Sequence, residues 1–107
     1  MLLNVFFRFD TRLGIPLPNL TAEWAHYSRP EREAMVGEWE HIRGIIPDRI
    51  KAFEAIINEK QALLQAEEDF LVCCRLNSEV ADYASRINDL HLWFRLNQDV
   101  AVEKIHA

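Results

Sequence analysis

The last sixty residues of this chain contain no glycine, proline or threonine, and this absence limits the possible folds more than any other feature. All three glycines and all four prolines lie among residues 1–47. Glycine and proline mark turns, so a long stretch without them favours long helices and argues against an all-β fold. With 107 residues, the chain is expected to form one small domain, and we predict that this domain is all-α.

Helix A is predicted over about residues 29–44. Ser28 and Glu31 match a capping box, in which the serine side chain accepts from a first-turn amide and the glutamate reaches back to the serine amide. Gly44 and Pro47 are expected to end or kink the helix. One apolar stripe is expected to face the core, and its members are Met35, Trp39, Ile42 and Ile46.

Two longer helices are predicted to follow, helix B over about residues 47–75 and helix C over about residues 78–105. The connection at 75–77 is so short that the two helices should be antiparallel neighbours. Helix B carries two adjacent apolar lines, which together form a face wide enough to contact two neighbours. The first line holds Ile50, Phe53, Ile57, Leu64 and Leu71, and the second holds Ile56, Leu63, Phe70 and Cys74.

Helix C has one apolar line facing helix B and a second apolar patch on its far side. The first line repeats every three or four residues, which favours the left-handed crossing of a coiled coil. Two polar residues in this line, His91 and Gln98, are interpreted as seam residues that set the register. The far patch consists of Leu92, Trp93, Leu96 and Val100, and Trp93, Leu96 and Val100 are its expected interface anchors. The complete first line is Val80, Ala84, Ile87, His91, Phe94, Gln98, Ala101 and Ile105.

Residues 1–19 are predicted to form an extended apolar arm, ahead of a helical domain at 20–107. Weak alternation of apolar residues indicates one strand in this arm. A single strand leaves backbone groups unpaired, so it should pair with another strand or lie across the helices. Phe6, Phe7 and Phe9 are the expected contact residues of the arm.

The apolar surface left over by this arrangement predicts a function in protein–protein interaction. Helix A is too short to cover helices B and C, so a second copy is expected to complete a homodimeric helical bundle. The alternative is a monomer whose arm covers the far patch. We therefore expect a small adaptor, regulator or chaperone-like protein that buries an amphipathic helix, or its own second copy, against the far patch.

Charge and cysteine content narrow the expected partners and compartment. The formal net charge is −5, and no cluster of basic residues is present to displace counterions from nucleic acid or to bind an anionic membrane. No apolar run is long enough to span a bilayer. The adjacent Cys73 and Cys74 cannot form an unstrained intrachain disulfide, and two free thiols fit a reducing compartment. We predict a cytoplasmic protein without nucleic-acid or membrane partners.

The strongest enzymatic alternative lies in a set of acidic residues. Glu67, Glu68 and Asp69, followed by Glu79 and Asp82, resemble the acidic motifs of all-α nucleotide pyrophosphohydrolases. The resemblance implies that carboxylates on two helices hold Mg²⁺ against phosphates, with Glu67, Glu68, Glu79 and Asp82 as the ligands. The acidic residue that this family has one turn later is replaced by Leu71, which favours a solvated acidic rim instead.

Two further pairs match the ligand spacing of di-iron bundles. Glu38 and His41, and Glu103 and His106, have the three-residue separation that places two ligands on one helical face. His41, however, lies about 100° from the apolar stripe of helix A at the angular step of a helix. We therefore predict no enzymatic activity and no cofactor, and a small metal-dependent enzyme remains the alternative.

Overall fold

The computed structural model describes the backbone of residues 6–106 and the side chains of residues 6–95. The protein is mostly helical, which confirms the predicted class in outline, but a small antiparallel sheet precedes the helices. It is a rod of 59 × 20 × 20 Å. The elements are β1 (Phe7–Asp10), β2 (Ile15–Pro18), a 3-10 turn (Trp24–His26), α1 (Arg29–Ala66) and α2 (Phe70–His106).

The start of α1 follows the predicted capping box. Ser28 Oγ accepts from the backbone amide of Glu31 at 3.2 Å, and Glu31 Oε1 accepts from the backbone amide of Ser28 at 2.8 Å. These two bonds satisfy donors that have no partner inside the helix. The predicted stripe of helix A is also confirmed, because Met35, Trp39, Ile42 and Ile46 are all buried.

One helix of 38 residues replaces the predicted helices A and B. The expectation that Gly44 and Pro47 end helix A is therefore wrong. Pro47 removes one backbone hydrogen bond, which costs about 3 kcal/mol in a helix interior. Ile46 and Phe53 are nevertheless buried on the same face on either side of the proline. Continuous packing of that face offsets the local cost, because most helical stability in proteins comes from tertiary packing.

The two long helices are connected at residues 67–69, and the predicted turn at 75–77 is wrong. Asp69 Oδ1 accepts from the backbone amide of Val72 at 3.1 Å. This bond caps the first turn of α2, as a side-chain oxygen at a helix N-terminus commonly does. The predicted bounds of helix B (about 47–75) and helix C (about 78–105) consequently give way to those of α1 and α2.

α2 packs antiparallel to α1, along a line that retains the predicted Val80, Ile87 and Phe94 but has Tyr83 and Leu90 in place of Ala84 and His91. Leu90 is fully buried whereas His91 is exposed, so the interpretation of His91 as a seam residue is wrong. Burial of Leu90 instead of His91 removes more apolar surface from water and leaves the imidazole hydrated. The repeat of three and four residues persists. The buried and half-buried residues with this spacing are Leu76, Val80, Tyr83, Ile87, Leu90 and Phe94.

The N-terminal region is a two-stranded hairpin, not the single extended arm predicted over 1–19. The backbone amide of Gly14 donates to the carbonyl of Asp10 at 2.7 Å and closes the turn. Gly14 has φ = 76°, which glycine adopts without the steric cost that a Cβ would bring. The pairs are Phe7–Pro18, Arg8–Leu17, Phe9–Pro16 and Asp10–Ile15. Pairing satisfies backbone groups that a lone strand would leave open.

Three arginines hold the hairpin turn against the helices. Arg12 Nη1 donates to Asp89 Oδ2 on α2 at 2.6 Å. Arg49 Nε on α1 donates to the carbonyl of Leu13 at 3.3 Å, and Arg86 Nη1 on α2 donates to the carbonyl of Arg12 at 3.3 Å. The turn is thus bonded to both helices.

The hairpin supplies a third layer over one part of the rod. Leu13 and Ile15 are buried against both helices, and Phe7 and Leu17 pack beside them. We call this part the covered end. Its buried core consists of Leu13, Ile15, Trp39, Ile42, Ile46, Phe53 and Leu90.

Candidate functional site

Three large apolar side chains are exposed in the helical turns that flank the connection between α1 and α2. Leu63 lies in the last turn of α1, and Phe70 and Leu71 lie in the first turn of α2. Their exposures are 59% for Leu63, 76% for Phe70 and 77% for Leu71. We call these three residues the apolar tip. Large apolar side chains exposed near one another in the sequence of a helical hairpin make this region a candidate interaction site.

The tip is exposed because only two helices are present there. A helix pair can bury one stripe of each helix, whereas the sequence of helix B carries two adjacent apolar lines. In the core, Leu13 and Ile15 of the β-hairpin pack over the two helices. Among the described residues of the tip region, no third element lies over α1 and α2, so Leu63, Phe70 and Leu71 stay in solvent.

Three consecutive acidic residues form the connection beside the apolar tip. We call Glu67, Glu68 and Asp69 the acidic turn. Glu67 Oε2 accepts from the backbone amide of Asp69 at 3.1 Å, and Asp69 caps α2. Glu68 is exposed. Within the part of the chain whose side chains are described, no basic residue forms an ion pair with these carboxylates. The apolar tip therefore has an uncompensated negative rim.

Both cysteines lie next to the tip as free thiols. Cys74 is exposed one helical turn after Phe70, and Cys73 is half buried with its Sγ donating to the carbonyl of Glu67 at 3.6 Å. Cys74 thus belongs to the exposed face, although the sequence places it in an apolar line of helix B. Its thiol provides a native chemical reporter for coverage of the tip.

The remaining carboxylates of the metal-binding alternative are held by cations of the protein itself. Lys60 Nζ donates to Glu79 Oε1 at 2.9 Å, and Arg86 Nη2 lies 2.7 Å from Asp82 Oδ2. The hydrogen bond from Lys60 lowers the pKa of the Glu79 carboxyl, and the positive charges of Lys60 and Arg75 act in the same direction. Lys60 and Arg86 thus place positive charge directly beside both carboxylates, which opposes the binding of a metal cation there.

A groove of about 490 Å³ lies beside these ion pairs, but its lining does not form a metal site. Glu67 and Glu68 lie in the connection, away from the groove walls. Among the described residues, no group of three or more histidine, cysteine, aspartate or glutamate side chains is arranged to hold a metal ion. The groove is lined by Lys60, Ser78, Glu79, Asp82, Tyr83 and Arg86.

The residues predicted as interface anchors occupy different environments. Phe6 packs edge-to-face on Tyr27 with ring centroids 5.4 Å apart, and Phe7 packs against the core. Phe9 is 60% exposed. Trp93 also packs against the core, with its ring centroid 5.7 Å from that of Trp39. The side chains of Leu96, Val100 and Gln98 lie outside those the structure describes, as do those of Glu103 and His106.

A second groove of about 270 Å³ lies between α1 and α2 beside the buried core. Its lining includes His91, the apolar residues Ile50 and Phe94, and the oppositely charged Lys51 and Glu54. His41, from the di-iron pattern, is exposed elsewhere on α1.

Comparisons of the chain with protein-family models, with curated proteins and with solved structures find no match. Within the described residues, no helix is long and apolar enough to cross a bilayer. The function of the apolar tip is therefore inferred from its exposure and charge alone.

The sequence interpretation missed the apolar tip because it placed the turn too late. Leu63, Phe70 and Leu71 were all assigned to the buried lines of helix B. Asp69 was the available signal, because an acidic side chain directly before an apolar run is a common helix N-cap. If Asp69 is the N-cap of α2, Leu63 belongs to one helix and Phe70 and Leu71 belong to the next. All three then lie where the two helices are connected.

Proposed function

We propose that this chain is a protein–protein interaction module that binds its partner through the apolar tip. The observation that carries the proposal is the exposure of Leu63, Phe70 and Leu71 where α1 connects to α2. Burial of a Leu or Phe side chain contributes about 1.5–3 kcal/mol, so three such residues can anchor a partner. Aromatic anchors are also common among binding hot spots.

The elongated shape supports this role, because it separates the apolar tip from the buried core. The core packs the two helices and the β-hairpin together without any residue of the tip. Loss of the tip side chains should therefore alter binding without unfolding the protein. The two free thiols favour a reducing compartment, and we propose the cytoplasm.

The experiment compares Phe70→Ser/Leu71→Ser with the control Phe9→Ser/Leu92→Ser, which removes exposed apolar groups away from the tip. Affinity capture from the native host and light scattering of the pure protein are measured for each variant. We expect the tip variant to lose captured partners or assembled mass, with at least a tenfold loss of affinity, and the control to retain them. Unchanged capture and mass in the tip variant would contradict the proposal.

A further inference from the structure

The chemistry of the tip determines which partner it fits. Three apolar side chains lie beside three carboxylates, and among the described side chains none of those carboxylates is neutralised by an ion pair. The apolar part requires a partner with exposed hydrophobic groups. The acidic turn requires positive charge at the edge of the contact, because complementary rim charges speed association and exclude wrong partners.

A second copy of the chain meets this requirement poorly at the tip. A twofold interface places the same patch on both sides of the contact. Self-association through the tip would bring two acidic turns, with six carboxylates, close together. Like charges brought together in this way oppose association.

The backbone of the partner must satisfy its own hydrogen bonds. The described strands lie at the covered end, so the tip presents two helix ends and a connection, with no strand edge to extend. A partner helix forms its backbone bonds internally and presents apolar side chains three and four residues apart. Such a face can contact several neighbouring apolar groups at once.

We infer that the partner of the tip is a basic amphipathic helix, with an apolar face seated on Leu63, Phe70 and Leu71 and lysine or arginine residues against the acidic turn. This inference rests on the proposed function and names the chemistry of its partner. The partner covers Cys74, because that thiol lies on the exposed face one turn after Phe70.

The test uses the full chain and two helical peptides of 18 residues, one of leucine and lysine and one with glutamate in place of each lysine. Binding is measured by calorimetry or by anisotropy of a labelled peptide. We expect the lysine peptide to bind and the glutamate peptide to bind at least tenfold more weakly. Alkylation of Cys74, followed in a Cys73→Ser background, should slow when the lysine peptide is bound.

Two triple variants separate the local charge from the overall charge. Glu67→Gln/Glu68→Gln/Asp69→Asn neutralises the acidic turn and retains side-chain oxygens that can accept from the amides of residues 69 and 72. Glu23→Gln/Asp48→Asn/Glu54→Gln makes the same change in net charge at exposed positions elsewhere. Each exposed ion pair contributes roughly a factor of two, so the first variant should bind the lysine peptide about tenfold more weakly. The second should bind like the native chain.

The outcomes distinguish the inference from the proposed function. The inference would be overturned if the lysine peptide did not bind or if the two peptides bound equally well. It would also be overturned if both triple variants bound the lysine peptide equally more weakly than the native chain. A Phe70→Ser/Leu71→Ser variant that binds the lysine peptide as tightly as the native chain would contradict the apolar tip as the contact surface. A third result is that the Phe70→Ser/Leu71→Ser variant loses the lysine peptide while the variant with a neutralised acidic turn binds it like the native chain. That result would be consistent with the proposed function and would reject the basic partner.

Discussion

The covered end and the apolar tip are built from the same two helices, and they differ in the number of layers packed together. At the covered end, Leu13 and Ile15 of the hairpin lie over α1 and α2, and the side chains between the layers are buried. At the tip, Leu63 and Phe70 have comparable hydrophobicity and remain exposed. Burial in this protein is therefore determined by the presence of a third layer more than by local sequence.

The shape of the molecule follows from this difference. A helix of 38 residues is about 57 Å long at 1.5 Å per residue. The hairpin strands contain four residues each, so they cover only part of that length. The radius of gyration of 18.0 Å exceeds the roughly 13 Å of a compact chain of this size. The apolar tip lies in a part of this elongated domain that no third described layer covers.

The largest contrast between the two ends is expected from truncation of apolar side chains. Ile15 is fully buried, so Ile15→Ala should lower the free energy of unfolding by about 2–4 kcal/mol through lost burial and a cavity. Leu71→Ala is the matched change at the tip and should alter it by less than about 0.5 kcal/mol. Chemical denaturation measures both. Comparable losses in the two variants would contradict the distinction between the ends.

The second prediction compares Gly14, in the turn between β1 and β2, with Gly44 in α1. Gly14→Ala should destabilise the protein by about 1–2 kcal/mol because of the left-handed backbone. A Cβ at Gly14 would also lie 2.5 Å from Arg49 Nη2 and displace that side chain from the carbonyl of Leu13.

The control for Gly14 is Gly44→Ala, since a Cβ at Gly44 meets no atom within 4 Å. Alanine there should stabilise the helix by about 0.5–1 kcal/mol. Thermal unfolding should therefore shift in opposite directions for the two substitutions. A shift in the same direction would mean that the turn is not held as described.

The smallest expected effect concerns the ion pair that joins the helices between the two ends. The hydrogen bond from Lys60 lowers the pKa of Glu79. Stability from this pair is therefore present above the ordinary glutamate pKa and is lost as the pH falls through the lowered value. In Lys60→Gln the midpoint of Glu79, followed by carbon-detected NMR, should move upward.

The Lys60→Gln substitution should therefore lower the free energy of unfolding less at acid pH than at neutral pH. Lys60→Arg keeps the positive charge and serves as the control. An unchanged Glu79 midpoint in Lys60→Gln would show that the bond is not maintained in solution.

Local sequence signals predicted the parts of the fold that depend on near neighbours. The capping pattern of Ser28 and Glu31 located the start of α1, and the buried stripe from Met35 to Ile46 followed from helical spacing. The repeat of α2 was predicted correctly at Val80, Ile87 and Phe94. It was wrong at His91, because Leu90 and His91 are adjacent and only packing decides which of the two is buried. The sequence favours a solvated rim for the acidic residues beside the tip, and Glu68 and Asp69 are exposed whereas Glu67 is half buried.

The remaining features depend on contacts that no local pattern shows. Pro47 is accommodated because the apolar face continues past it and meets α2. The second strand, with prolines at positions 16 and 18, has a weak strand signal and forms by pairing with β1 at the sheet edge, where proline is tolerated. The apolar tip became visible only when the connection at residues 67–69 was known.

The bond from Arg12 to Asp89 joins residues separated by 77 positions, and it has a consequence for synthesis on the ribosome. Arg12 is translated 77 positions before Asp89, the residue to which it bonds. Pairing so distant in sequence is slow to form because a long loop must close first. Phe7 and Ile15 therefore stay in water until the residues of α2 that complete their core have been translated, and the nascent chain exposes apolar surface that the folded protein buries.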